Sequence, residues 1–215
     1  MLICGIDEAG RGPVIGPMVM CGVLVEESDL PKLKSLGVKD SKLLTKKTRE
    51  KLFEKIKEIA KSYEIIIVEP KEIDDALESD SLNLNWLEAH KSAEIINKLK
   101  PDKVTVDSPS NNCRAYTIYL KKLLNCEVEL ECIHKADLKH VYVGAASVLA
   151  KVTRDREMDK IQKKYGNTGP GYMSNPITQK FLAENWDKHP EIFRKTWIPY
   201  QNHKNNKHQK KLEDF

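Results

Sequence analysis

The chain has 215 residues, with 36 Lys and Arg against 32 Asp and Glu and a formal net charge of +4; that length suits one substantial core with a small appendage and excludes two large domains. Its five cysteines, Cys4, Cys21, Cys113, Cys126 and Cys132, are odd in number and form no CxxC pair, which excludes a zinc knuckle and a secreted disulfide framework. With no apolar run of membrane-spanning length and no signal-peptide pattern at its start, the chain is expected to be soluble and cytoplasmic, a monomer with no membrane partner.

In chain order, residues 2–7 and 17–25 are apolar, β-branched runs joined through glycine and proline, and they predict two neighbouring strands in a hairpin. Residues 45–62 place Leu52, Ile56 and Ile59 at helical spacing among lysines and glutamates, an amphipathic helix. "EIIIVE" at 64–69 predicts a third strand, and 84–100 a strongly periodic helix that stops at Pro101. "DKVTVDS" reads as a short strand ending in Asp107, 114–124 as a helix, and "EVELECIH" at 127–134 as a fifth strand running into "KAD". The longest helical pattern covers 144–166, with small residues early for close packing and a glycine to end it. Beyond it, 167–176 is loop chemistry, Phe181, Trp186, Phe193 and Trp197 suggest short helices over the core, and from Gln201 the polar chain is expected to be flexible.

This order predicts an α/β architecture, a mixed five-stranded sheet flanked by helices. It puts acids at or just after three strand ends: Asp7 with Glu8, Asp107, and Asp137. Four converging carboxylates repel one another unless cations neutralise them, and hard oxygen donors favour magnesium or manganese over zinc, so metal-assisted phosphoryl transfer is the chemistry to test. Adjacent strand residues face opposite ways. Asp7 and Glu8 are therefore expected to share a site because the strand ends between them, at the "AGRG" turn.

The motifs "GIDEAGRGPVIGP", "VKDSKLL", "VDS", "HKAD", "AASVLAKVTRD" and "GPGY", in that order over residues 3–197, resemble those of type 2 ribonuclease H, ribonuclease HII, in its archaeal form. The resemblance implies a ribonuclease H-like fold that hydrolyses the RNA strand of RNA/DNA hybrids and cuts at single ribonucleotides embedded in duplex DNA, leaving 5′-phosphate and 3′-hydroxyl ends. It implies that Asp7, Glu8, Asp107 and Asp137 hold the catalytic Mg2+ or Mn2+, two ions with substrate. It also implies that Gly10, Arg11 and Gly12 inspect the ribose 2′-hydroxyl through backbone groups, and that Tyr172 senses the junction with the following deoxynucleotide. The expected division is a catalytic domain over 1–165, a small C-terminal helical extension over 166–200 completing the substrate groove, and a flexible tail over 201–215. Met173, Asn175, Ser108 and Gly144 stand where the family commonly has proline, aspartate, alanine and serine; none is a metal ligand, and Met173 and Asn175 bear on the "GPGY" loop.

Competing readings are weaker. "GRGPVIG" is no dinucleotide fingerprint, since position 15 is Ile and Pro13 would interrupt the helix opening. The type 3 enzyme carries a different residue between the glycines, and a non-catalytic adaptor on the same fold would be expected to lack one of the four acids. Ser41, Lys42, Ser147 and Lys151 are candidate substrate contacts, with capping, packing or solvation as the alternatives. The six histidines have no ligand spacing, His134 being the one expected near the site. In the tail, Gln209, Leu212 and Phe215 match the spacing of the peptide that binds the replication sliding clamp, although the second aromatic is absent.

Overall fold

A computed structural model describes residues 1–38 and 45–213, with the backbone alone over 206–213. Ser41 and Lys42 lie outside the described residues, as does Phe215. Five strands, β1 (Leu2–Ala9), β2 (Met18–Glu26), β3 (Ser62–Val68), β4 (Lys103–Asp107) and β5 (Glu129–Ile133), form one sheet in the order β3-β2-β1-β4-β5. β1 pairs antiparallel with β2, and β2 with β3, whereas β1–β4 and β4–β5 are parallel. This is the expected mixed sheet.

The helices are α1 (Leu30–Ser35), α2 (Lys46–Ile59), α3 (Pro70–Glu78), α4 (Leu84–Leu99), α5 (Cys113–Lys122), α6 (Ala136–Lys139), α7 (Val141–Tyr165), α8 (Pro176–Asn185) and α9 (Ile198–Glu213). Helix α7, with α1 and α2, covers one face of the sheet: Val19, Cys21, Val23 and Val25 pack against Val143, Ala146 and Ala150. The other face lies under α4 and α5, where Cys4, Ile6, Met20, Val104 and Val106 meet Leu87, Ile95, Ile96 and Leu120. Each such aliphatic side chain withdrawn from water contributes about 1.5–3 kcal/mol. Among the described residues no helix is long and apolar enough to cross a membrane.

Local chemistry sets several boundaries. Thr45, Asn83 and Asn112 cap α2, α4 and α5 by accepting the amides of Thr48, Trp86 and Ala115. The small residues near the start of α7 let it lie on β1 so closely that a Cβ at Gly5 would stand 2.5 Å from the Tyr142 carbonyl carbon and oxygen and the Val143 nitrogen. Helices α1 and α3 were not foreseen; α3 carries a Pro in its first turn and buries Ile73 and Ala76, a short pattern easily taken for loop.

The largest departure is the tail, expected to be flexible from Gln201. Helix α9 instead runs from Ile198 through Glu213, crossing the expected boundary at 200/201. Its lysines and glutamines are good helix formers, Pro199 sits harmlessly in its first turn, and Tyr200 anchors it in a third core with Val14, Ile15, Met158, Phe181, Leu182, Ile192 and Phe193. That core seats the C-terminal segment against the loop between β1 and β2. Asp74 of α3 locks it there, accepting from the Lys195 amide at 2.8 Å, the Thr196 amide at 3.0 Å and the Thr196 hydroxyl at 2.7 Å.

Candidate active site

The parallel pairing of β1 with β4 puts Gly5 beside Thr105 and Ile6 beside Val106, so the next residues, Asp7 and Asp107, stand side by side at that end of the sheet. Alternation sends both toward α7: Ile6, Val104 and Val106 pack under α4, while the Thr105 hydroxyl lies 2.9 Å from that of Tyr142 on α7. Beyond β5 the chain turns through Lys135, in left-handed conformation at φ 55°, into α6. The Ala136 amide donates to Asp107 Oδ1 at 3.1 Å, and this brings in Asp137. Oxygens of Asp7, Asp107 and Asp137 all lie within 4.8 Å of one another.

The cluster is electrostatically costly as it stands. Asp7, 5% exposed, has its carboxyl pushed well above the usual range, chiefly by burial and then by the charges of Glu8 and Asp107; the Ser147 hydroxyl and the Lys151 ammonium oppose this. Ser147 and Lys151 lie one turn apart on α7 and are bonded to each other, Lys151 Nζ donating to Ser147 Oγ. Of the candidate contacts, these two do border the carboxylates.

Glu8 differs from expectation. Strand β1 does not end between Asp7 and Glu8 but continues to Ala9, with Glu8 opposite Met20 and Ala9 opposite Val19 on β2. Glu8 therefore starts from the face toward α4 and is not one of the three clustered oxygens, but its carboxyl still touches them: burial and the charges of Glu88 and Asp107, in that order, raise it to about 7, while a side-chain hydrogen bond with Asp7 lowers it. Glu88 of α4, 1% exposed, is raised likewise by burial, against the pull of Arg11. Arg11 Nε donates to Glu88 Oε1 at 2.7 Å and its Nη2 to Asn85 Oδ1 at 2.8 Å, so the guanidinium of the glycine loop is bound to α4.

The glycine loop forms one wall of a cleft of about 490 Å³ that also takes in Glu8, Lys151, Arg154, Pro170 and Tyr172. Opposite it, the "GPGY" turn uses positive φ at Gly169 (64°) and Gly171 (85°), where a side chain would be strained. The Gly171 carbonyl accepts from Val14 N at 2.9 Å, and Thr178 Oγ1 accepts from Gly171 N at 3.1 Å, which ties the turn to both the first loop and α8. Tyr172 remains 39% exposed. Arg154 lies 5.3 Å from its ring centre and donates to Pro170 O at 2.7 Å, which braces the ring. Asn175 caps α8, accepting from Ile177 N and Thr178 N, and Met173 packs on the third core, so both departures from the family pattern have local structural work.

The donor set fits hard divalent cations: three carboxylates from β1, β4 and α6, with like charges held together out of water, lower their energy by binding one. His134 Nδ1 lies 3.2 Å from the carbonyl of Ser108, next to Asp107. Gln209 and Leu212 are on the described backbone of α9 without described side chains. Glu88, Arg154 and Arg194 have no local sequence signal for their roles beyond the glutamate at an otherwise buried, mostly apolar stretch of α4.

The family model described as Ribonuclease HII matches residues 4–200. A Ribonuclease HII of Pyrococcus furiosus is 45% identical over 202 residues, covering 92% of this chain and 88% of the relative. Among solved structures, the ribonuclease H2 of Pyrococcus horikoshii superimposes with a TM-score of 0.88 at 42% identity, covering 96% of this chain and 98% of the other. The RNase HII of Archaeoglobus fulgidus, solved in complex with PCNA, gives 0.84 at 38% identity, with coverages of 92% and 95%.

Proposed function

The chain belongs to the ribonuclease HII family, endonucleases of the ribonuclease H class that depend on divalent metal and act on RNA/DNA hybrids, and on that premise we propose that it also cuts at single ribonucleotides embedded in duplex DNA. The observation that carries this reading is the meeting of Asp7, Asp107 and Asp137 next to Glu8 and Lys151, which line the cleft together with the glycine loop and Tyr172. Asp7, Glu8, Asp107 and Asp137 would hold Mg2+ or Mn2+; bound there, the metal supplies an activated water and charge stabilisation at the scissile phosphate, the chemistry that yields 5′-phosphate and 3′-hydroxyl ends. Gly10, Arg11 and Gly12 bring backbone groups to the ribose, Lys151 and Ser147 orient Asp7, and Ser41 and Lys42 contact the phosphate backbone. A duplex with one ribonucleotide, incubated with and without magnesium or manganese, tests the reading. Cleavage 5′ to the ribonucleotide only with metal is expected, and a hybrid-only nuclease would leave that duplex whole.

Tyr172 gives a second test. Its exposed ring, backed by Arg154, offers a stacking surface beside the glycine loop, and Tyr172→Ala should reduce cleavage at an embedded ribonucleotide about tenfold to a hundredfold, the loss of one stacked ring, about 1–3 kcal/mol. The magnesium dependence of thermal stability should not change. Equal rates for the two proteins would mean that the ring only packs.

A sliding clamp is the proposed partner. The Archaeoglobus relative's complex with PCNA and the spacing of Gln209, Leu212 and Phe215 support it, with α9 presenting the first two on one continuous backbone. Calorimetry with the intact protein should show clamp binding that is lost when Leu212 and Phe215 are both changed to Ala. Equal affinity of the two, or none for either, ends the proposal.

A further inference from the structure

The glycine loop is held from behind by one buried cation. Arg194, with no exposed surface, donates from Nη2 to the Gly10 carbonyl, from Nη1 to the Arg11 carbonyl at 2.6 Å and from Nε to the Gly16 carbonyl at 3.1 Å. Trp197, whose ring centre lies 5.0 Å from the Arg194 guanidinium carbon, donates from Nε1 to the Gly12 carbonyl at 3.2 Å. The segment is itself fixed: Arg194 N donates to Val14 O at 2.9 Å, and Asp74 holds the next two amides.

Peptide planarity gives this clasp a directional consequence. In a trans peptide the carbonyl and the following N–H point opposite ways, so drawing the Gly10 and Arg11 carbonyls onto Arg194 turns the Arg11 and Gly12 N–H groups away from it, toward the cleft. The Arg11 side chain is occupied by Glu88 and Asn85, which leaves the backbone as the loop's means of recognition. We infer that Arg194 is a positioning residue for ribose selectivity: it presets the two loop N–H donors for a 2′-hydroxyl, and Trp197 supports it. This rests on the reading that the glycine loop inspects the ribose. A lysine at 194 would keep the charge but lacks the fork that serves three carbonyls at once. Preorganised donors discriminate because their order does not have to be acquired on binding.

The test is the ratio of affinities for two duplexes identical except for one ribonucleotide, measured by fluorescence anisotropy in calcium with intact wild-type protein, Arg194→Lys and Trp197→Phe. Wild type should prefer the ribonucleotide duplex. Arg194→Lys should lower that preference at least about tenfold with the affinity for all-DNA duplex unchanged, and Trp197→Phe, which keeps a ring against Arg194 but loses the bond to Gly12, should lower it about threefold. An arginine that served stability alone would change the melting temperature and leave the ratio where it was. A folded Arg194→Lys with the wild-type ratio overturns the inference; should that variant not fold, an unchanged ratio in Trp197→Phe does so. Wild type with no preference between the duplexes overturns the ribose reading itself, and the inference with it.

Discussion

Asp7→Asn is expected to lower cleavage by at least about a thousandfold, about 4 kcal/mol of transition-state stabilisation, while leaving the fold intact. The substitution keeps the side-chain volume and removes one of the three carboxylate charges that β1, β4 and α6 bring together. Its effect on stability has the opposite sign. Asp7 is buried among like charges that push its carboxyl well up, so without divalent ions Asn should be at least as stable as Asp. Magnesium should raise the melting temperature of wild type more than that of the variant, because a ligand that binds only the folded state stabilises it by an amount that grows with the logarithm of its affinity. Single-turnover cleavage and thermal melts with and without magnesium check both halves. Near-normal turnover of Asp7→Asn at saturating magnesium would remove Asp7 from the metal site, and an equal magnesium shift in the two proteins would do the same.

Gly5→Ala should cost about 3 kcal/mol of folding stability, near the upper end of overpacking effects, and lower the melting temperature by about 6–12 °C for a chain of this length. The added methyl would stand 2.5 Å from three backbone atoms of Tyr142 and Val143. Backbone in a strand and a helix cannot step aside as a flexible side chain can, so β1 and α7 must separate. That separation also moves Ser147 and Lys151 relative to Asp7, and activity should fall with stability. Gly12→Ala is the control for stability: nothing lies within 4 Å of a Cβ there, and its unfolding free energy from urea titration should stay within about 0.5 kcal/mol of wild type. A Gly5→Ala unfolding free energy equally unchanged would show that α7 does not approach β1 so closely.

Much of the fold is legible in local chemistry. The runs that became β1 to β5 alternate or stay apolar over strand lengths, and α2, α4 and α7 announce themselves by apolar spacing, Thr45 and Asn83 caps, and the stops at Pro101 and Gly166. The acids at strand ends are visible in the same way; Asp7, Asp107 and Asp137 cluster, and Glu8 is hydrogen-bonded to Asp7. Helix α9 was less legible. A polar sequence is compatible with both coil and helix, and its first turn is secured by Tyr200 in a core assembled from four distant parts of the chain.

The sequence by itself determined the five strands and helices α2, α4, α5 and α7, that acids stand near the ends of β1 and β4 and just after β5, and which family's motifs they belong to, because these depend on residue type and near-neighbour spacing. Tertiary structure alone decided where β1 ends, since that is set by pairing with Met20 and Val19 on β2, and hence that Asp7 faces α7 while Glu8 faces Glu88 on α4. It alone decided that the guanidinium of Arg11 goes to a helix 77 positions away and that Arg194, 184 positions from Gly10, holds the glycine loop. The physical reason is common to these cases: a buried charge must find its hydrogen-bond partners wherever the packed chain presents them, and no local pattern records which distant groups those are.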